Sequence, residues 1–166
     1  FMGGTVELIA SDIDGTLLRG GATDIPPEIF EQIRRLEGRG ILFCPASGRQ
    51  YHSLRQLFAP VADRVPFLCE NGAVIYGPGG PGPVWSKTVM ERALAEELSR
   101  DIMALPGVEV LISGADTSYL CPKGPDFEAH IRWFTGNNIC RVPSPKEVPE
   151  DIVKVSAYCP GGLEGA

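Results

Sequence analysis

The sequence predicts an α/β protein in which a parallel-sheet core is followed by a smaller α+β layer. Three observations carry that expectation. Between residues 6 and 44, short continuous apolar runs flank an amphipathic stretch, the pattern of strand, crossover helix and parallel strand. A Gly/Pro-rich stretch, 77–83, then interrupts the pattern. From Thr88 onward helix and strands regroup in an order that suits a mostly antiparallel sheet. The division falls at 1–85 for the core and 86–166 for the second layer.

Taken in order, Val6–Ala10 reads as a buried strand that runs into two acids, Asp12 and Asp14. Gly15 permits the sharp turn that leads the chain away. Pro26 and Pro27 suit the first turn of a helix whose inward face is Ile29, Phe30, Ile33 and Leu36, and Gly38-Arg39-Gly40 ends it. Ile41–Cys44 is the second strand. Pro45-Ala46-Ser47-Gly48-Arg49-Gln50 follows, and then a helix with Tyr51, Leu54, Leu57 and Phe58 inward. Ser47 with Gln50 fits a capping box at the start of that helix.

Pro66–Cys69 is a third strand, and Asn71-Gly72 a turn signal after it. Val74–Tyr76 and Val84–Ser86 read as a hairpin. In the second layer, Met90, Ala93, Leu94, Leu98, Ile102 and Leu105 predict the inward face of a helix stopped by Pro106-Gly107. Strands at Val108–Ile112 and Ser118–Cys121, a helix around Phe127–Phe134 and a last strand at Ile152–Tyr158 complete the order. His130, Arg132 and Trp133 fall on the second of these helices and read as structural or solvent-facing.

Composition narrows the function classes. Fifteen basic against twenty-one acidic residues, a net charge of −6, argue against a nucleic-acid or anionic-membrane surface. No segment approaches the roughly 20 apolar residues that span a bilayer, and no basic-then-apolar leader is present. The five cysteines (Cys44, Cys69, Cys121, Cys140 and Cys159) lack C-x-x-C spacing and mostly lie in apolar runs. They read as buried reduced thiols of a cytoplasmic protein. His52 and His130 have no zinc-ligand spacing. Phe1 before Met2 reads as a processing remnant.

The chemistry lies in the acids. If the strand's alternation persists to Asp14, the two carboxylates share one side. Like charges crowded at a strand end repel, and a hard divalent cation resolves the conflict; Mg²⁺ accepts one or two carboxylates with water and phosphate oxygens. One carboxylate can then attack phosphorus while the other moves a proton. A bare D-x-D also suits an Asp-rich turn with no chemistry.

The full string Asp12-Ile13-Asp14-Gly15-Thr16-Leu17-Leu18 resembles the first motif of the haloacid-dehalogenase (HAD) superfamily of phosphohydrolases. That resemblance implies Asp12 as nucleophile, Asp14 as general acid/base, and both as Mg²⁺ ligands. Ser47 stands where the family's second motif places the hydroxyl that binds the transferring phosphoryl group, joined by Gly48 and the backbone at Ile13. Ser47-Gly48-Arg49 and Asn71-Gly72-Ala73 resemble hallmarks of the Cof-type sugar-phosphate phosphatases. Arg49 would contact substrate or else pair with an acid, and Asn71 would lie near the substrate or serve only its turn.

The resemblance further implies a HAD-like Rossmannoid core, here its N-terminal part, with residues 86–166 as an inserted and incomplete α+β cap. The implied activity is Mg²⁺-dependent hydrolysis of small phosphorylated metabolites such as sugar phosphates through an aspartyl-phosphate. A phosphomutase using the same intermediate is the alternative, as is a fragment that only binds phosphate or metal weakly. The family's third-motif Lys and fourth-motif Gly-Asp…Asp have no counterpart before the chain stops at Gly161–Ala166. A C-terminal continuation or another chain is expected to supply them and to pair with Val6–Ala10, otherwise an open apolar edge.

Overall fold

The computed structural model describes residues 5–124 and 126–159; Phe1-Met2 and the closing Gly161–Ala166 lie outside them. The chain separates into two compact units, Phe1–Ser86 and Lys87–Ala166.

The first unit is built on a sheet of five strands in the order β1 (Leu8–Asp12), β2 (Leu42–Ala46), β3 (Phe67–Cys69), β4 (Val74–Tyr76) and β5 (Val84–Lys87). β1 pairs in parallel with β2, and β2 with β3; β4 turns back antiparallel to β3. Helix α1 (Pro27–Glu37) forms the first crossover and α2 (Tyr51–Leu57) the second. Pro27 opens α1 without needing an N–H partner, and Phe30 and Ile33 are its buried side. An aromatic core binds these pieces. Phe58 meets Phe30 edge-on at 6.1 Å and Phe67 at 6.2 Å, while Tyr51 stacks on Tyr76 at 3.7 Å.

β1 is not buried as its apolar run alone suggests; it is the open apolar edge expected where no described strand pairs on its far side. Its residues alternate exposed and half-buried, with Leu8 54% and the preceding Val6 57% exposed. The exposed residues cluster at the start of the β1–β2 ladder, where Leu8 is in register with Leu42, itself 40% exposed.

The second unit holds a four-stranded sheet in the order β8 (Ile139–Arg141), β7 (Ser118–Leu120), β6 (Glu109–Ser113) and β9 (Lys154–Tyr158). The β6–β7 and β6–β9 pairs are antiparallel and β7–β8 is parallel, so the sheet is mostly antiparallel as expected. β8 was not predicted; three residues carry too little periodicity to signal a strand.

Helix α3 (Arg92–Ala104) packs Ile102 against the core as expected, and Met90 just before it packs there too, but the helix's leucines do not share that burial. Ala95 and Ser99 are fully buried, whereas Leu94 is 55% and Leu98 38% exposed. Small residues let the helix settle close to Val110 and Ile112, and the leucine row one position back is left outward. Glu91 caps the helix, its carboxylate accepting from the N–H groups of Ala93 and Leu94. α4 (Asp126–Thr135) buries Phe127 and Ile131. All five cysteines are free thiols; three are buried, but Cys140 is exposed because it sits on the outward side of β8.

Candidate active site

β1 ends at Asp12, and the next residues turn rather than extend. The Ile13 carbonyl accepts from the N–H groups of Thr16, Leu17 and Leu18, and Gly15 takes φ +84. The strand's alternation nevertheless survives two residues further. Ile13 is fully buried, while Asp12 and Asp14 are both exposed, so the turn anchors on the hydrophobic residue and leaves both acids open to ligands.

Each acid has a partner. The Thr16 hydroxyl donates to Asp12 Oδ2 at 3.0 Å, a contact the D-x-D-G-T string contains but that spacing alone did not assign. Arg49 grips Asp14 with both arms of its guanidinium, Nε to Oδ2 at 3.0 Å and Nη2 to Oδ1 at 2.6 Å. Of the two readings of Arg49, pairing with an acid is the one observed here. The guanidinium holds the Asp14 carboxyl below its ordinary pKa, against a smaller opposing push from burial.

Ser47 follows directly on β2, and its predecessor Ala46 is in register with Asp12 across the parallel pair. Serine and acids therefore stand at the carboxyl ends of adjacent strands, where ligands bind in open α/β sheets. Ser47 is only 8% exposed, and its Oγ accepts from the Arg49 N–H at 3.2 Å. The expected capping box does not form: α2 starts at Tyr51, its N-cap is Gln50, and no side chain caps it. The Ser47 hydroxyl is taken by a tight local turn instead, so residues 47–50 form a loop ahead of the helix.

Asn71 approaches the same loop. Its N–H donates to the Ser47 carbonyl at 3.1 Å, and its amide covers Gly48 so closely that a Cβ there would lie 3.0 Å from Asn71 Oδ1. Asp14, Arg49, Ser47, Gly48 and Asn71 are thus joined through direct contacts, with Asp12 in register beside them. Ile13 contributes its backbone while its side chain is core. Glu70, a 3% exposed carboxyl next to Asn71, was not singled out from the sequence, where it looked like part of a turn.

Two carboxylates are the hard donors here; among the described residues no group of three or more His, Cys, Asp or Glu side chains could hold a metal. That donor set fits Mg²⁺, which completes its shell with water and phosphate oxygens, better than a cation that needs an all-protein cage. His130 lies away from these residues in sequence and contacts Tyr158 and the α4 aromatics. Arg132 pairs with Glu128, and Trp133 is 81% exposed.

Paired acids thus stand at the end of the first strand of a mostly parallel stretch of sheet, with a serine loop at the end of the next. The chain belongs to the haloacid dehalogenase-like hydrolases, whose family model matches residues 9–155. It is 30% identical over 122 residues to the Escherichia coli 5-amino-6-(5-phospho-D-ribitylamino)uracil phosphatase YbjI, covering 74% of this chain and 44% of that protein. With Bacillus subtilis phosphatase YwpJ it shares 32% identity over 75 residues, 45% of this chain and 26% of the relative.

Among solved structures, a Eubacterium rectale protein superposes with a TM-score of 0.79 at 28% identity, over 95% of this chain and 59% of its own. The fold is also that of the HAD subclass IIB sugar phosphatase BT4131, with a TM-score of 0.71 at 20% identity over 93% of this chain and 58% of that one. The chain therefore spans less than two thirds of each of these relatives. No helix among the described residues is long and apolar enough to cross a membrane.

Proposed function

We propose that the protein is a Mg²⁺-dependent phosphomonoester hydrolase acting on small phosphorylated metabolites such as sugar phosphates. The observation that carries this reading is the register that sets Asp12 beside the residue before Ser47, with Asp14 linked to the same loop through Arg49. Asp12 attacks phosphorus and becomes an aspartyl-phosphate as the P–O bond to the leaving group breaks. Asp14 gives a proton to the leaving oxygen and later takes one from the attacking water. Ser47, Gly48 and the backbone at Ile13 hold the phosphoryl oxygens, and Arg49 contacts the substrate once it leaves Asp14. Asp12 and Asp14 would hold Mg²⁺, which supplies charge neutralisation to the phosphoryl group when bound.

The E. coli relative's named substrate is a phosphorylated ribityl compound and the subclass IIB neighbour is a sugar phosphatase, which favours a polyol or sugar phosphate here. We read residues 1–85 as the N-terminal part of the catalytic core and 86–166 as a cap that selects substrate. Free cysteines throughout are consistent with a cytoplasmic setting. The open edge of β1, with Val6 and Leu8 exposed, is the surface on which a continuation of the chain or another chain would pair. Phosphate release from sugar phosphates with Mg²⁺, measured beside Asp12→Asn, tests the hydrolase. Equal rates for both proteins would remove Asp12 from the reaction. Turnover that needs a sugar acceptor would instead point to a phosphomutase.

A further inference from the structure

The turn after β3 is built from backbone that residues with side chains rarely adopt. Glu70 (φ 51) and Asn71 (φ 59) are both left-handed, and Gly72 follows at φ 94. Such a conformation persists only where the surroundings over-determine it. Here it aims two successive N–H groups at the neighbouring loop. Glu70 N–H donates to the Arg49 carbonyl at 3.1 Å, and Asn71 N–H to the Ser47 carbonyl at 3.1 Å. The third backbone tie of that loop, Ser47 N–H to the Leu68 carbonyl at 3.0 Å, comes from the end of β3 itself.

We infer that Glu70–Asn71 is a positioning element for the candidate phosphoryl site, setting where the Ser47 hydroxyl and the Arg49 guanidinium stand. The inference rests on the function proposed above and deepens it by giving Asn71 a supporting role in place of a substrate contact. A right-handed turn in this place would direct the two N–H groups elsewhere, and two of the three backbone ties would be lost. Both the Ser47 Oγ contact with the Arg49 N–H and the Arg49 fork on Asp14 depend on that loop. The positioning is done by the backbone; the Asn71 amide lies over Gly48, where a Cβ would come within 3.0–3.3 Å of its atoms. Glycine at position 48 and a left-handed residue at 71 are therefore complementary halves of one close approach.

The test compares Asn71→Gly, which keeps left-handed freedom but removes the amide, with Asn71→Val, whose branched Cβ resists positive φ. Both are made in the whole chain. Amide hydrogen exchange at residues 70 and 71 reads the ties, and an amide-shift titration with inorganic phosphate reads the site. The valine variant should exchange those amides about tenfold faster and bind phosphate about tenfold more weakly, while the glycine variant stays within about twofold of the parent in both. Should glycine weaken phosphate binding as much as valine while its amides stay protected, Asn71 touches the ligand and the inference is overturned. Unchanged exchange and binding in the valine variant overturn it equally. A parent chain that takes up no phosphate refutes the phosphoryl reading instead, and the exchange comparison alone then decides the positioning role. If the valine variant fails to fold, Asn71→Ala carries the same comparison.

Discussion

Replacing Arg49 with methionine removes the guanidinium from Asp14 while keeping much of the side chain's apolar length. The lost contact is a two-armed ion pair with bonds of 2.6 and 3.0 Å, but its side chains are 34% and 57% exposed. Solvent screening on both sides limits a pair of this kind, and bidentate geometry places it at the upper end of the exposed range, about 1 kcal/mol. Asp14 is held below its ordinary pKa, chiefly by the Arg49 hydrogen bonds. A depressed carboxyl contributes stability that is present above its unfolded pKa, about 4, and is lost as pH falls through the lower folded value. Arg49→Met should therefore lower urea-unfolding stability by about 1 kcal/mol at pH 7, and the deficit should close as pH falls through the lowered folded value of Asp14. Asp14→Asn should cost a similar amount, and the double variant little more than either single one. Carboxyl-carbon NMR should show the Asp14 titration moving up toward the ordinary aspartate value in Arg49→Met. An Asp14 titration identical in parent and variant, or a deficit that persists unchanged at low pH, would refute this reasoning.

Two further outcomes concern the second unit. Arg92 donates to the carbonyls of Glu150, Lys146 and Val148 at 2.9–3.0 Å and thereby ties α3 to the irregular segment before β9. Arg92→Met should cost about 2–3 kcal/mol in urea unfolding, because these carbonyls and that of Pro145 are left without their donor and the Arg92–Glu96 pair is lost. Tyr119 is pushed up to about 12 by burial first and by its 2.7 Å hydrogen bond to Glu150 second. A raised folded pKa gives stability that is complete below the unfolded value and lost as pH rises through the folded one. The parent should lose stability between about pH 10 and 12 to an extent that Tyr119→Phe does not, in thermal unfolding scans across that range.

Much of this arrangement is legible in the sequence because local chemistry and global fold agree. The first acids, Gly15, the Pro-led first helix and the three parallel strands follow from short-range signals that the packing reinforces. The departures have physical reasons. A capping box at Ser47 and Gln50 is a legitimate local expectation, yet the loop is claimed by backbone ties to residues 68, 70 and 71, contacts that come from another strand. α3 was assigned its leucine face, since periodicity ranks residues by hydrophobicity and not by how closely a helix can approach. Ala95 and Ser99 win that position by being small. The apolar run of β1 suggests burial, but with no described strand on its far side it is the open edge that was also expected, because burial depends on what pairs and packs beside it. Arg49 could be narrowed to two roles, and only three-dimensional placement, 35 residues away along the chain, selects Asp14. Left-handed Glu70 carries no sequence signature at all, because glutamate is an unexpected residue for that conformation.

In the proposed reaction a phosphoryl group passes through Asp12. Incubating the protein with Mg²⁺ and a small phosphate ester, quenching in acid and mapping the peptides by mass spectrometry tests that directly. A phosphoryl adduct on the peptide carrying Asp12, absent from Asp12→Asn, is the predicted result. Phosphate release that proceeds in the Asp12→Asn protein, or an adduct on another residue, would contradict it.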